Sequence, residues 1–369
     1  MIRLQMRIIS TYTGAGGLDI GFHNVNAEVL GACELNKHAC DTYSANYPDV
    51  PLFRGKVSDA LEADFFERNA DVLVGGPPCQ GFSVAGKMDP EDPRSLEIFN
   101  FIKVLQKTKP RAFVMENVKA LGTLTKWEFV RERIFTQADK AGYEVEMHIL
   151  NSQHYGVPQR RERVFFVGFK NSLGKRKARA ALASFNRTLA LQTASPRPLK
   201  SIVRDLGPAG SQGNERVCNA KVNFTKRPVM RRSPYAGMLF NGAGRPVDPD
   251  GVCPTLPASM GGNKTPIIDE AEIFEGKDSF VEMYHSSLLN GAEPRSGQAP
   301  SCLRRLTIDE CIAVQTFPAD YKFCGSNSSI FKQIGNAVAP KMAQAVAISI
   351  RSGLAELKST TKLAAIDHV

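Results

Sequence analysis

The chain has 369 residues, a formal net charge of +10, 43% hydrophobic and 23% charged residues. This balance suits a folded protein with a sizeable core, of a length that fits two domains, and excludes a disordered or collagen-like chain. No run is apolar for long enough to span a bilayer and no signal peptide opens the sequence, so a cytoplasmic protein without membrane contact is expected. The eight cysteines form no CxxC pair and no Cys/His cluster at zinc spacing. They are expected to be free thiols in a reducing compartment, with no metal.

Short, almost continuously apolar runs alternate with helical patterns over the first 170 residues. Strands are predicted at Arg7–Ser10, Glu28–Ala32, Asp71–Val74, Arg111–Met115, Glu144–Leu150 and Arg163–Gly168. Helical periodicity lies between them, as at Leu96–Lys107 and Lys126–Ala141. Such alternation predicts an α/β fold with a mostly parallel sheet covered on both faces. Ligands of such sheets bind beyond the carboxyl ends of the strands. The polar, basic stretch Asn171–Lys177 reads as a break. From there to about residue 300 the chain is irregular and rich in turn signals such as Asn241-Gly242, Asp250-Gly251 and Gly261-Gly262. Arg216, Lys221, Lys226, Arg227, Arg231, Arg232 and Arg245 fall within it, a charge pattern suited to a polyanion. Periodicity returns at Leu306–Gln315 and Ala339–Leu357.

Chemistry-bearing residues collect where predicted strands end. Thr11-Tyr12-Thr13-Gly14-Ala15-Gly16-Gly17 is a glycine-rich strand-to-helix turn, which lets backbone approach a ligand closely. Glu34 ends the next strand, where an acid can accept hydrogen bonds from ribose hydroxyls. Asp59 follows near the expected end of a third strand. Gly75-Gly76-Pro77-Pro78-Cys79-Gln80-Gly81-Phe82-Ser83 then holds one thiol on a rigid turn, a setting that a core does not need. Glu116-Asn117-Val118 closes another strand and offers a carboxyl for proton transfer. Gln159-Arg160-Arg161-Glu162-Arg163 precedes the last strand. Two arginines two apart on a strand share one face and can present two cations together.

In this order the motifs resemble those of bacterial-type C5-cytosine DNA methyltransferases over nearly the whole chain. Tyr12–Gly17 resembles the family's first motif, with Tyr12 where Phe is usual. Gly76–Gln80, Glu116–Val118 and Gln159/Arg161/Arg163 match further motifs, as do Arg304–Pro318 and Gln333–Pro340. Ser58-Asp59-Ala60 is a looser match, and Leu35 stands where a larger side chain is frequent.

The resemblance implies a Rossmann-like methyltransferase domain that uses S-adenosyl-L-methionine and releases S-adenosyl-L-homocysteine. Residues 1–169 would form the catalytic and cofactor domain, and 170–303 an inserted, small, loop-rich target-recognition domain. Residues 304–369 would carry the last motifs, the C-terminal helix returning to the catalytic domain. Cys79, Glu116, Arg161 and Arg163 would be catalytic, with Arg163 on the base's O2 and Arg161 supporting the Cys79 and Glu116 region. Tyr12, Gly14, Ala15, Gly16, Gly17, Glu34, Leu35, Asp59, Ala60, Pro77, Asn336, Ala337 and Val338 would hold the cofactor. Gln80, Ser83, Arg231, Arg232, Arg245 and Thr255 would contact double-stranded DNA, the loop from Gly81 to about Ser95 closing over a flipped cytosine. A monomer acting in a prokaryotic cytoplasm on the nucleoid, beside a cognate restriction endonuclease, completes the implied picture.

Three other readings fit parts of the sequence less well. An RNA-methylating relative would carry a Cys-Phe-Thr element, which is absent here. An inactive DNA-holding protein would not need the cysteine, the glutamate and both arginines. A nicotinamide-dependent dehydrogenase rests on the glycine turn alone, which lacks the GxGxxG spacing.

Overall fold

The near-continuous apolar strands read from the sequence are interior strands. Val72, Leu73 and Val74 are wholly buried, and so are Ala112 to Met115. The computed structural model describes residues 5–78 and 97–359. In chain order it runs β1 (Arg7–Thr11), α1 (Gly17–His23), β2 (Glu28–Glu34), α2 (Lys37–Asn46), β3 (Leu52–Arg54) and α3 (Val57–Glu62). Next come β4 (Val72–Gly75), α4 (Glu97–Thr108), β5 (Ala112–Val118), α5 (Lys119–Thr123), α6 (Glu128–Lys140) and β6 (Tyr143–Asn151). β7 (Gln159–Arg160), β8 (Glu162–Lys170), α7 (Lys175–Ala190) and α8 (Leu199–Leu206) follow. Then come β9 (Phe224–Val229), β10 (Met238–Phe240), β11 (Cys253–Pro254), β12 (Ile267–Asp269), α9 (Glu270–Glu275) and α10 (Phe280–Leu289). The chain ends with β13 (Leu303–Arg305), α11 (Ile308–Val314), α12 (Asn327–Asn336) and α13 (Pro340–Ser359).

Two compact units share these elements. The first takes the described parts of 1–151, 162–193 and 338–369, the second 152–161 and 194–337. A seven-stranded sheet ordered β3-β2-β1-β4-β5-β8-β6 fills the first unit. β3 to β5 pair in parallel, and β8 runs antiparallel to both β5 and β6. The order reverses direction between β1 and β4, the switch point at which doubly wound sheets open a crevice. Those two strands lie so close that a Cβ on Gly75 would stand 2.3 Å from Thr11 Oγ1. α4 supports this edge by burying Ile98, Phe101, Ile102, Val104 and Leu105, a stripe at helical spacing.

The units divide the chain differently from the expected boundaries. α7 lies in the first unit, although it begins within the stretch read as a break. Its buried Ala178, Ala181, Leu182, Phe185 and Leu189 form one apolar stripe, which packs on α13, β6 and β8. α13 also packs on α1, within the same unit. α11 and α12, which carry the last two motifs as far as Ala337, belong to the second unit.

The second unit has little regular structure. Its strands pair only in twos, as β9–β10, β7–β11 and β12–β13. Phe224, Phe240 and Tyr284 centre a small aromatic core, with Phe224 and Tyr284 ring centroids 4.9 Å apart. Thr307 and Glu310 close a capping box at the start of α11, each side chain bonding the other's backbone N–H. No helix among the described residues is long and apolar enough to cross a membrane.

Candidate active site

Residues far apart in sequence meet because the parallel strands are in register. Cys33, Thr11, Gly75 and Met115 lie side by side on β2, β1, β4 and β5. The residues that follow these in sequence are Glu34, Tyr12, Gly76 and Glu116, so four sequence-predicted positions come together at the carboxyl edge of the sheet.

The turn after β1 has backbone that only small or strained residues adopt. Gly14 and Gly16 have φ of 56° and 82°, and Tyr12 itself has φ of 54°. The Gly14 N–H donates to Glu34 Oε2 at 2.8 Å, and the Asn36 N–H donates to Glu34 Oε1 at 2.7 Å. Burial pushes the Glu34 carboxyl up from its ordinary value, against the lowering effect of these backbone donors. Asp19, absent from the sequence-predicted set, holds the turn from beneath. Its wholly buried carboxyl accepts from the hydroxyls of Ser10 and Thr13 at 2.7 Å and of Tyr43 at 2.8 Å. Burial pushes Asp19 up, and the three hydroxyls pull the other way. Ala15 and Gly17 are buried within the turn and at the start of α1.

Leu35 is 65% exposed beside this edge. Asp59 is exposed in the first turn of α3, not at a strand end, because β3 stops at Arg54 and a helix follows. Ala60 faces the core: it is 0% exposed and its N–H donates to the Lys56 carbonyl. The Tyr12 hydroxyl donates to Glu97, at 2.7 Å to the carboxylate and 3.0 Å to the main-chain oxygen. Burial first, and Glu97 second, keep this phenol protonated.

Beyond β4 and β5 lies a second cluster. Arg163 on β8 stands diagonally across from Glu116, since Val118 opposes Arg163 and Glu116 opposes Phe165. Both side chains share a face, and Arg163 Nε lies 3.0 Å from Glu116 Oε1. The Glu116 carboxyl is close to Gly76, where a Cβ would stand 3.1 Å from Oε2. The Asn117 side-chain amide donates to the Pro77 carbonyl at 3.1 Å, and its Oδ1 accepts from the Val118 N–H at 2.9 Å. Pro77 and Asn117 are both buried. Cys79, Gln80, Ser83 and the segment from Gly81 to Ser95 lie outside the described residues.

The two arginines do not continue one strand. The chain leaves β7 at Arg161 and enters β8 at Glu162, so the alternation expected of Arg161 and Arg163 is broken. Arg161 is 1% exposed within the second unit and donates to the carbonyls of Leu256, Gly335 and Asn336 at 3.2, 2.8 and 3.4 Å. Arg163 contacts Glu116, its Nε 3.0 Å from Oε1.

Arg161 belongs to a buried polar lock in the second unit. The Gln159 side chain accepts from the Leu256 N–H at 3.0 Å and donates to Gln315 Oε1. Gln315 in turn donates to the carbonyls of Ile334 and Ala337, both at 2.9 Å. Four separated motifs are thus joined through backbone carbonyls, with Asn336 and Ala337 in the lock and Val338 beginning the return to the first unit. The sequence places Gln159 and Gln315 in motifs but gives neither a role. A glutamine shows no periodic signal, and apart from each other the partners of these two are backbone atoms.

A model of C-5 cytosine-specific DNA methylases matches residues 6–352. The chain belongs to that family. It is 30% identical over 364 residues to Type II methyltransferase M1.HphI of Haemophilus parahaemolyticus, across 94% of this chain and 87% of that one. Type II methyltransferase M.NgoPII of Neisseria gonorrhoeae is 29% identical, over 95% of this chain and 96% of that one. Among solved structures, Spodoptera frugiperda DNMT2 superposes with a TM-score of 0.64 at 16% identity, covering 94% of this chain and 99% of that one. The S. pombe Dnmt2 methyltransferase gives 0.62 at 16%, over 96% and 100%. These two likenesses speak for the fold alone. The protein is therefore an enzyme, a DNA (cytosine-5-)-methyltransferase.

In this C-5 cytosine methylase the basic stretch is not uniform. Arg231, Arg232 and Arg245 are exposed in the second unit, as are Lys226 and Arg227 on β9. Arg216 is held instead by Asp309, its Nε 2.8 Å from Oδ1. The exposed Thr255 donates its hydroxyl to the Arg160 carbonyl at 2.7 Å.

Proposed function

We propose that this methyltransferase takes the methyl group of S-adenosyl-L-methionine to C5 of a cytosine flipped out of duplex DNA, through a covalent bond between Cys79 and C6. The observation that carries the reading is the largely buried Arg163–Glu116 contact at 3.0 Å, one residue beyond the β4–β5 row that leads to Pro77-Pro78-Cys79. A carboxyl held by a guanidinium at a sheet's ligand edge suits a polar ring edge.

The residues after β1 and β2 fit the donor. A Cβ on Gly14 would meet nothing within 4 Å, so open space lies against the turn. Tyr12 would stack on adenine, Glu34 would hold the ribose hydroxyls and Asp59 the adenine amino group. Gly14, Gly16, Gly17, Leu35, Pro77 and Val338 would line the remainder. When bound, the donor supplies the methyl group.

The remaining steps belong to this chain. The Cys79 thiolate forms an S–C6 bond, and the displaced electron pair is taken up toward N3, where Glu116 delivers a proton. C5 is then electron-rich and accepts the methyl group. Loss of the C5 proton to a base re-forms the C5–C6 double bond as the thiolate leaves, and N3 returns its proton to Glu116. Arg163 orients Glu116 and presents a cation toward O2. The base is inside a duplex until flipped, at a cost of about a few kcal/mol. Gln80 and Ser83 would meet it, and Arg231, Arg232, Arg245 and Thr255 would contact the duplex. The names of the relatives support a role in a Type II restriction-modification system. The enzyme would act as a monomer in a prokaryotic cytoplasm, beside an endonuclease acting on the same site.

Bisulfite sequencing of DNA from cells that express the chain tests this directly. Protected cytosines in one recurring short sequence are expected, and are lost with Cys79→Ser. Methyl transfer from labelled donor to tRNA but not to DNA would overturn the reading, as would full activity of Cys79→Ser.

A further inference from the structure

Tyr12 differs from the usual residue at its position by one hydroxyl, and that hydroxyl is not idle. It donates to Glu97 Oε2 at 2.7 Å and to the Glu97 main-chain oxygen at 3.0 Å. The same carboxylate oxygen accepts from the Asn100 side-chain amide at 3.2 Å. Glu97 opens α4, a helix of 12 residues anchored by Ile98 and Phe101, both wholly buried. A carboxylate in the first turn is favoured there by the helix dipole. Tyr12 also has φ of 54°, a conformation that an aromatic residue rarely adopts without support. The turn after β1 is thus tied, across the end of β4, to a rigid helix.

We propose that Glu97 is a positioning residue for the methyl donor: through the Tyr12 hydroxyl it anchors, at the sheet edge, the ring against which the donor's adenine packs. The proposal rests on the reading of Tyr12 as the adenine platform. One O–H shared between two oxygens of Glu97, one of them main chain, pins the tip of the ring and keeps it from withdrawing from the edge. A phenylalanine in the same place would keep the stacking face and lose the tether. The carboxylate of Glu97 and the hydroxyl of Tyr12 therefore act as a pair, each explaining the presence of the other.

Equilibrium binding of S-adenosyl-L-homocysteine to the full-length wild type, Tyr12→Phe, Glu97→Ala and the double variant forms a closed cycle. Each single change is expected to weaken binding by about three- to tenfold. The double variant should be no weaker than the worse single, because both remove the same contact. KM for the donor should rise with the binding constant while kcat at saturating donor stays within about twofold. Glu97→Gln, which still accepts from the phenol, should recover most of the affinity. Wild-type affinity in both singles, or losses that multiply in the double variant, would overturn the proposal. A variant that merely folds less well would lose melting temperature and active fraction without a higher binding constant in its folded part. That outcome also counts against the proposal. Failure of the wild type itself to bind S-adenosyl-L-homocysteine would instead overturn the cofactor reading beneath it.

Discussion

The Asn117 side-chain amide reaches from the end of β5 to the Pro77 carbonyl, 3.1 Å away at the end of β4. Proline has no N–H, so Pro77-Pro78 cannot take part in a strand ladder through its own donors. The carbonyl is buried and Asn117 provides its partner. Residue 117 thus secures the backbone two residues before Cys79, while its neighbour Glu116 presents the carboxyl on the other face of the strand.

Replacing Asn117 by Leu should leave that carbonyl unpaired and loosen the turn. A stability loss of about 1–3 kcal/mol is expected. The larger effect should fall on kcat, with the donor's binding constant nearly unchanged, since the turn after β1 is untouched. Steady-state kinetics together with donor binding check this; equal loss in both would mean a general unfolding of the edge.

Gly76 faces the Glu116 carboxyl, and an added Cβ would approach Oε2 to 3.1 Å. Gly76→Ala is therefore expected to shift the carboxyl by a few tenths of an ångström, away from its contact with Arg163. Activity should drop by about tenfold or more, because small misplacements at reacting groups are costly. The melting temperature should change little. Parallel activity and thermal-unfolding measurements separate the two.

Gln315 joins Gln159, Ile334 and Ala337 inside the second unit. Gln315→Leu keeps the volume and removes all three bonds. The stranded carbonyls and the Gln159 amide should cost at least about 2 kcal/mol in total. Denaturant titration should show a lower midpoint, whereas Gln315→Glu should be worse than Leu near neutral pH, because it would bury a charged carboxylate against two carbonyl oxygens.

His148 on β6 packs against Phe185, with ring centroids 5.3 Å apart, and burial holds its imidazole below the ordinary histidine value. Its approach to Glu146 at 3.8 Å is therefore not an ion pair at neutral pH. A depressed folded-state pKa means that the unfolded chain binds the proton first as the pH falls. Stability should be complete above about pH 6.5 and decline toward the folded value, by up to about 1.4 kcal/mol per pH unit. Unfolding free energies of wild type and His148→Gln between pH 7 and 5 should diverge in that sense; a constant difference would refute it.

The sheet and the order of its ligand-bearing turns were legible in the sequence, because buried parallel strands are written as short apolar runs with glycine turns at their ends. Six predicted strands correspond to β1, β2, β4, β5, β6 and β8. β3 went unread, being three residues long and only half-buried. α7 was misassigned because its polar first turn hid the apolar stripe behind it. Tyr12, Gly14, Glu34 and Glu116 could be named from local pattern, since each stands immediately after or at the end of such a strand.

What the chain could not reveal one residue at a time is which of these residues meet. Glu34, Tyr12, Gly76 and Glu116 come together only because β2, β1, β4 and β5 align Cys33, Thr11, Gly75 and Met115. Register is a property of pairing between strands, and no single strand carries it. For the same reason Arg161 and Arg163 read alike in sequence but part company in the structure. Arg163 meets Glu116 by strand pairing, whereas Arg161 sits on carbonyls contributed from 95 and 174 residues away. Long-range bonds to backbone oxygens leave no trace in residue type, so only the tertiary structure could assign them.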